Sequence, residues 1–435
     1  MRRERFVTSP GGRVAGDIRV PGDKSISHRA AILGAVAKGT TEIHGFLEGE
    51  DCLATLAALA ALGVVIERPG PGRVRVHGVG LGGLRASPAP LDLGNSGTSM
   101  RLLTGLLAGQ GFDSTLIGDA SLMSRPMERV AAPLRRMGAD VSTNEGRPPV
   151  TIRGGRALHG EVHRLEVPSA QVKSALLLAG IQAEGRTLVR EPGTSRDHTE
   201  RMLGAFGVQL SRDDGAVAVE GRARLEAAPV DVPGDFSSAA FFIVAALISG
   251  REPLRIRNVG VNPTRTALID ILRMMGADIR LHLLAEIAGE PRADIEVIPG
   301  ALRGIVVPEA LVPVAMDELP VLFAAASVAE GETVVTGAGE LRVKESDRLT
   351  AMAQGLAALG VGVENRPDGL RIHGGAVGGG EVDCRGDHRI AMAFAVLGAR
   401  ARAPVVIDDV QNVATSFPGF AALARSAGLR FEEDA

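Results

Sequence analysis

Leu56-Ala57-Ala58-Leu59-Ala60-Ala61-Leu62-Gly63-Val64 is a run of strong helix formers that stops at a glycine and continues into a β-branched residue. Ala and Leu lose little freedom in a helix, and a glycine just past the last turn ends one. The same figure returns five times, at residues 133–139, 201–208, 269–277, 353–361 and 420–429. There Gly138, Gly207, Gly276, Gly360 and Gly428 each precede Ala, Val or Leu. These glycines lie roughly 70 to 80 residues apart, too far for a solenoid but right for one folded unit used six times. A second figure keeps step with the first: a turn rich in Gly, Ser and Asp, then an Ala/Leu-rich helix. It stands at Gly22-Asp23-Lys24-Ser25, Gly94-Asn95-Ser96-Gly97-Thr98, Val167-Pro168-Ser169-Ala170-Gln171, Gly234-Asp235-Phe236-Ser237-Ser238, Met316-Asp317-Glu318-Leu319-Pro320 and Arg385-Gly386-Asp387-His388-Arg389. Six helix starts carrying Ser, Asp, Lys and Arg are six candidate contacts for an anion or polar substrate.

At 435 residues the chain exceeds one ordinary core, so two domains of three repeats each are expected. Hydrophobic residues make up 45%, enough for sizeable cores, yet aromatics are only 3%. The 56 glycines suit closely packed helices and many turns. A net charge of -3 argues against wholesale nucleic-acid binding, so any basic site is local. Cys52 and Cys384 form neither a CxxC nor a zinc pattern, which points to idle thiols in a reducing compartment. Met1-Arg2-Arg3-Glu4-Arg5-Phe6 lacks the apolar core of a signal peptide, and the apolar run 239–248 is too short to span a bilayer. A soluble cytoplasmic protein is expected.

Each repeat reads strand, turn, helix, strand, helix, strand, which implies an α/β protein. In the first, residues 11–20 lead to the turn at Pro21, 27–37 are helical, 40–43 extended, 51–62 helical and 64–67 extended. Two near-identical turns, Val20-Pro21-Gly22-Asp23-Lys24-Ser25 and Val232-Pro233-Gly234-Asp235-Phe236-Ser237, are the best crossover candidates. The expectation is one domain over residues 22–234 and a second from residues 1–21 plus 235–435, with the active site in the cleft between them.

Lys24 and Ser25 open the first helix where backbone N–H groups point outward, and Arg29 lies one turn on. That arrangement cradles a phosphate or carboxylate, although the glycine spacing is not that of a Walker A loop. A plain N-cap with solvated charges explains the same residues equally well. Asn95-Ser96-Gly97-Thr98-Ser99-Met100-Arg101 and Ser169-Ala170-Gln171 share this ambiguity, as does Ser195-Arg196-Asp197-His198. Arg125 follows Gly118-Asp119-Ala120-Ser121, read as a flexible stretch. Asp317 precedes Pro320 in apolar surroundings, so its carboxylate needs a partner or a task. Arg342-Val343-Lys344-Glu345-Ser346-Asp347-Arg348 holds five charges in seven positions, with Lys344 and Arg348 expected on one helix face. Lys24, Arg29, Arg125, Arg196, Lys344, Arg348 and Arg389 all sit at or near repeat turns of a slightly acidic chain. Converging turns would make a cleft for one or two strongly anionic small molecules, with Asp317 and Glu345 as the carboxylates inside.

Seven segments, in order along the chain, closely resemble the EPSP synthase family. They are 21–29 (PGDKSISHR), 94–101 (GNSGTSMR), 124–127 (SRPM), 168–175 (PSAQVKSA), 317–320 (DELP), 342–349 (RVKESDRL) and 386–392 (GDHRIAM). The resemblance implies a two-domain enolpyruvyl transferase fold, each domain three βαβαββ-type repeats in an inside-out α/β barrel. It implies that shikimate 3-phosphate and phosphoenolpyruvate give 5-enolpyruvylshikimate 3-phosphate and phosphate, with no metal or cofactor. The implied protein is a monomer with small-molecule substrates and no nucleic-acid or membrane partner. Motif by motif, Lys24, Ser25, Arg29, Ser169, Ala170, Gln171, Arg196, Asp317 and Lys344 look like the shikimate 3-phosphate set. Lys24, Gly97, Arg125, Gln171, Arg348 and Arg389 look like the phosphoenolpyruvate set. Asp317 is the expected base for the 5-hydroxyl, sharing that role with Lys344, and Glu345 the expected acid for the enol methylene.

Four positions depart from the better-known branch, which has Ser-Ser-Gln, a Tyr, an Asn and a Lys where this chain has Ser169-Ala170-Gln171, His198, Glu340 and Thr415. That pattern looks like the class II branch. Gly97 keeps the small residue that some inhibitor-insensitive members replace with Ala, so sensitivity to glyphosate is expected. Two readings compete. The sister UDP-N-acetylglucosamine enolpyruvyl transferases carry a Cys where Ala120 stands, which counts against them, and a non-catalytic anion binder would not need Asp317, Lys344 and Glu345 intact.

Overall fold

The structure, a computed structural model, describes residues 4–213 and 215–434. The first three residues of the N-terminal segment read above lie outside the described residues. The chain folds as two compact units, one of residues 22–232 with 286–290, the other of residues 1–21, 233–285 and 291–435. Pro233 and Gly234 group with the latter for a local reason. The Gly234 N–H donates to the Asn258 carbonyl (2.7 Å) and the Gly260 N–H to the Gly234 carbonyl (2.9 Å).

Among the described residues six small sheets follow one layout, five of them with four strands and one with three. In the unit of residues 22–232, Lys38–His44 pairs parallel with Val230–Asp231 on one side and antiparallel with Arg73–Val79 on the other, and Val65–Gly70 closes the sheet. Ser114–Ile117 and Arg186–Arg190 hold the same position in the next two sheets. The edge strand Val230–Asp231 comes from the end of the unit, so its three βαβαββ repeats close on themselves. In the other unit, Gly16–Ile18 pairs parallel with Leu254–Gly260, and Arg5–Ser9 lies between Val405–Asp408 and Arg430–Asp434. The N-terminal strands thus complete two of that unit's three sheets. The residue-level reading of the first repeat stopped at Glu67. The chain instead turns at residues 71–72 and returns along Arg73–Val79 as a hairpin.

The first helix of each repeat is buried nearly all round. Every residue from Ile26 to Val36 in Lys24–Val36, and from Phe236 to Ile248 in Phe236–Ser249, is out of solvent. A helix apolar on every side belongs inside a domain. Its polar start is therefore held at a fixed place by the surrounding core. Five of these six starts are capped by a side-chain oxygen: Asp23 accepts from Ile26 N–H, Ser96 from Ser99, Ser169 from Val172, Asp235 from Ser237 and Asp387 from Arg389. The sixth, Leu319–Ala326, has no side-chain cap. Among the described residues no helix is long and apolar enough to cross a membrane.

The glycines that open the sequence argument end the second helix of every repeat. Gly63, Gly138, Gly207, Gly276, Gly360 and Gly428 have φ of 91°, 93°, 86°, 100°, 78° and 106°. At each one the next N–H reaches back across the last turn, as Val64 does to Leu59 O (3.1 Å) and Val208 to Leu203 O (2.9 Å). This is the Schellman arrangement, and its apolar residue after the glycine is buried all six times.

The caps yield a paired prediction on one helix end. An added Cβ at Gly207 meets nothing within 4 Å, so Gly207→Ala suffers backbone strain alone and should lose about 1 kcal/mol. Gly204, inside His198–Ala205 and exposed, should gain roughly 0.5–1 kcal/mol as Ala. Urea unfolding of both variants checks the signs, and a stable Gly207→Ala would contradict the strained cap.

Candidate active site

In the unit of residues 22–232, three helix starts carry the polar residues read from the sequence. Lys24, half-buried at the head of its helix, bonds Asp51 at 3.0 Å. Arg29 is 4% exposed and turned inward. Its Nε donates to Thr199 Oγ1 (2.6 Å), Nη1 to the Ser25 carbonyl (3.0 Å) and Nη2 to Ser174 Oγ (2.8 Å). Burial pulls its pKa down to about 10 against the opposing pull of Glu200, so it keeps its charge at neutral pH. Neighbouring His28 is also buried, and its pKa is pushed well below the usual imidazole value by burial and then by Lys24 and Arg29, so it is neutral. His28 Nδ1 meets Thr55 Oγ1 at 2.8 Å, and Thr55 Oγ1 meets Ser99 Oγ at 2.5 Å. This hydroxyl chain ties the first helix start to the second.

Gly97 opens that second helix between two guanidinium groups. A Cβ there would stand 2.9 Å from Arg101 Nη1 and 3.1 Å from Arg125 Nη1, so only glycine leaves both where they are. Arg101 donates to Gln171 Oε1 (2.7 Å), and Gln171 donates to Thr98 Oγ1 (2.9 Å). Arg125 donates to Asn95 Oδ1 at 2.6 Å. The Gly118–Ser121 stretch, expected to be flexible, is built instead around Asp119. Its carboxylate caps a short helix at Leu122 (2.7 Å) and accepts from Asn95 (2.8 Å). Ser169 and Ala170 start the third helix, where the Ser169 N–H donates to Glu191 at 2.7 Å. Arg196 is half-buried, and its charge acts on Arg29. Lys24, Ser25, Gly97, Arg125, Ser169, Ala170, Gln171 and Arg196 thus head three adjoining networks, with Arg29 supporting them from within.

The other unit gathers its charges on one guanidinium. Arg348 is 1% exposed. Its Nε donates to Asp387 Oδ2 (2.8 Å) and its Nη2 to Glu345 Oε2 (2.6 Å), while Nη1 lies 3.5 Å from Asp317 Oδ1. Burial alone would lower the Arg348 pKa, but Asp387, Glu345 and Asp317 outweigh it and hold the charge firmly. Arg389 Nη1 donates to the Asp317 carbonyl (2.8 Å) and Nη2 lies 3.6 Å from its carboxylate. Asp317 therefore stands between two arginines, which answers the expectation that it needs a partner. The structure does not put Lys344 and Arg348 on one helix face. Asp347 caps the helix through Thr350 N–H (3.0 Å), so the helix begins at Arg348, and Lys344 lies before it in extended backbone.

Several participants escaped the sequence reading. Arg101 falls four residues after Gly97, a spacing that could have flagged it. Glu318 stands in a motif quoted above, but its partners could not be read from the sequence. Its buried side chain accepts from Ser237, 81 residues away, and lies 3.8 Å from both Arg265 and Arg389. Of the departures, His198 is buried against Glu290 (2.7 Å) and Thr415 donates to the Asn412 carbonyl (2.6 Å).

Exposure separates the partners of Arg348. Asp387 is wholly buried while Glu345 is 27% exposed. Asp387→Ala should cost about 3 kcal/mol or more by removing the fully buried partner of a buried cation, whereas Glu345→Gln should cost under about 1 kcal/mol. Equal losses in urea unfolding would contradict this ranking.

Comparison with known proteins bears on this constellation. The family described as EPSP synthase (3-phosphoshikimate 1-carboxyvinyltransferase) matches residues 8–423. A 3-phosphoshikimate 1-carboxyvinyltransferase of Methylococcus capsulatus is 58% identical over 428 residues, covering 98% of each chain. Another, of Alkalilimnicola ehrlichii, is 59% identical over 426 residues, covering 98% of this chain and 96% of the relative. The solved EPSP synthase of Acinetobacter baumannii superposes with a TM-score of 0.91 at 49% identity, covering 99% of this chain and 100% of that one. With a match over nearly its whole length in family, sequence and structure, the chain belongs to the EPSP synthase (3-phosphoshikimate 1-carboxyvinyltransferase) family.

Proposed function

We propose that the protein transfers the enolpyruvyl group of phosphoenolpyruvate to the 5-hydroxyl of shikimate 3-phosphate, releasing phosphate. The observation that carries the reading is the buried Arg348 guanidinium shared by Asp317, Glu345 and Asp387. Phosphoenolpyruvate is a dense anion, and its carboxylate and phosphate compete for the same N–H groups of Arg348 and Arg389. Asp387 is capped and buried, so it stays on Arg348. Asp317 and Glu345 sit at longer range or in partial solvent, so they are the ones displaced. A carboxylate that loses a cationic partner gains proton affinity. Asp317 then takes the 5-hydroxyl proton, with Lys344 beside Glu345 in sequence sharing the task, as the 5-oxygen bonds C2 of phosphoenolpyruvate. Glu345, which takes up a proton from solvent once displaced from Arg348, delivers it to the C3 methylene. Return of a C3 proton to the Glu345 carboxylate forms the C2–C3 double bond as the C2–O bond to phosphate breaks and phosphate leaves. Lys24, Arg125, Arg348 and Arg389 hold the charge that develops.

Ser25, Ser169, Ala170, Gln171 and Arg196 hold shikimate 3-phosphate in this reading, with Arg29 fixing their frame. A monomer acting in the cytoplasm is part of the proposal.

Phosphate release from phosphoenolpyruvate tests the proposal. It should depend on shikimate 3-phosphate and fall by about 10²–10⁴ in Asp317→Ala. Release without the shikimate ester would overturn the acceptor, and an unimpaired variant would remove Asp317 from the mechanism. Glyphosate should inhibit in competition with phosphoenolpyruvate. Gly97→Ala, by displacing Arg101 and Arg125, should raise KM for phosphoenolpyruvate. Full turnover with glyphosate in large excess would contradict the first expectation, and an unchanged KM the second.

A further inference from the structure

Behind the helix start at Ser169 lies an ion triad that the proposed chemistry does not use. Lys173 is 6% exposed, and its Nζ sits 2.7 Å from Glu191 Oε2 and 2.9 Å from Glu200 Oε1, both carboxylates being 5% exposed or less. Burial opposes the lysine charge, but Glu200 and Glu191 outweigh it and raise its pKa, so Lys173 is charged at neutral pH.

Such an arrangement is a poor way to add stability. Desolvating three charges consumes most of what their attraction returns, and apolar residues of the same volume commonly do as well. Its placement suggests another use. The same Glu191 carboxylate accepts the Ser169 N–H through Oε1 (2.7 Å) and the Ser195 hydroxyl through Oε2 (2.7 Å). One group thus holds both the residue that starts the third helix and the residue before Arg196. On the far side, Ser174 and Thr199, the sequence neighbours of Lys173 and Glu200, bond each other (2.6 Å) and receive Arg29. Within this cluster two cations, Lys173 and Arg29, balance two anions, Glu191 and Glu200.

We infer that Lys173 is a positioning residue for the shikimate 3-phosphate side of the site, acting through Glu191 on Ser169 and on the Ser195–Arg196 turn. Lysine suits the role because its ammonium donates to two carboxylates at once. With it in place Glu191 has one orientation, and the spacing between Ser169 and Arg196 is set before substrate arrives. The inference rests on the function proposed above.

Two variants separate positioning from folding. Lys173→Met leaves two buried carboxylates facing each other. Lys173→Met/Glu200→Gln removes one charge of each sign, so the net charge of the cluster is unchanged. Steady-state phosphate release should show KM for shikimate 3-phosphate raised about tenfold to a hundredfold in the double variant. KM for phosphoenolpyruvate should stay within about threefold of wild type, and the melting temperature within about 4 °C. A well-folded double variant with wild-type KM for shikimate 3-phosphate would overturn the inference, as would equal rises in both KM values. Wild-type protein in the same assay keeps the two claims apart. If it releases no phosphate with the shikimate ester, the functional reading fails, whereas an unmoved KM in an active variant fails the positioning role alone.

Discussion

A guanidinium at 1% exposure cannot be left without anionic partners, and Arg348 is compensated by three. Asp387 is the structural one: it caps its own helix, accepts Ser346 and grips Arg348 from full burial. Glu345 and Asp317 complete the balance from less buried positions, and Arg389 braces Asp317 from the other side. One cation thereby fixes the starts of Leu319–Ala326, Arg348–Ala358 and His388–Gly398 relative to one another. It also gathers Asp317 and Glu345 on one shared guanidinium. Stability and chemistry meet on that one side chain.

The repeated fold explains why charges collect there. Each βαβαββ repeat ends its second helix on a left-handed glycine and begins its first helix at a polar turn, so each unit buries three helices with their starts fixed by core packing. Helix N-termini favour anions. Five of the six starts spend a side-chain oxygen on their own cap. The uncapped start is the one carrying Asp317 and Glu318, whose carboxylates face arginines instead. The start at Asp235, likewise tied to Arg265 and through Ser237 to Glu318, braces its neighbour. The repeats share a backbone and differ in what each start offers.

The repeat was legible because its markers answer to local rules. Positive φ, 91° at Gly63 and 106° at Gly428, strongly favours glycine, and a cap such as Asp23 needs only its own next turn. The family motifs likewise led to Asp317, Arg348 and Arg389. What stayed hidden depends on residues distant in sequence. Glu318 meets Ser237 across 81 residues and Arg29 meets Thr199 across 170. Lys344 and Arg348 were placed on one face because a four-residue spacing suits a helix, but Asp347 between them is itself the cap. Arg29 commits three of its N–H groups to Thr199, the Ser25 carbonyl and Ser174, wiring that a list of basic residues could not disclose.

Catalysis in the proposed reaction turns on exchange at Arg348. A crystal structure with phosphoenolpyruvate and shikimate 3-phosphate, or with non-reacting analogues of each, measures that exchange directly. The prediction is that Arg348 keeps Asp387 while ligand oxygens replace Glu345 and Asp317 on its Nη atoms. Both ligands bound with Arg348 still joined to Glu345 and Asp317 at their present separations of 2.6 Å and 3.5 Å would contradict it.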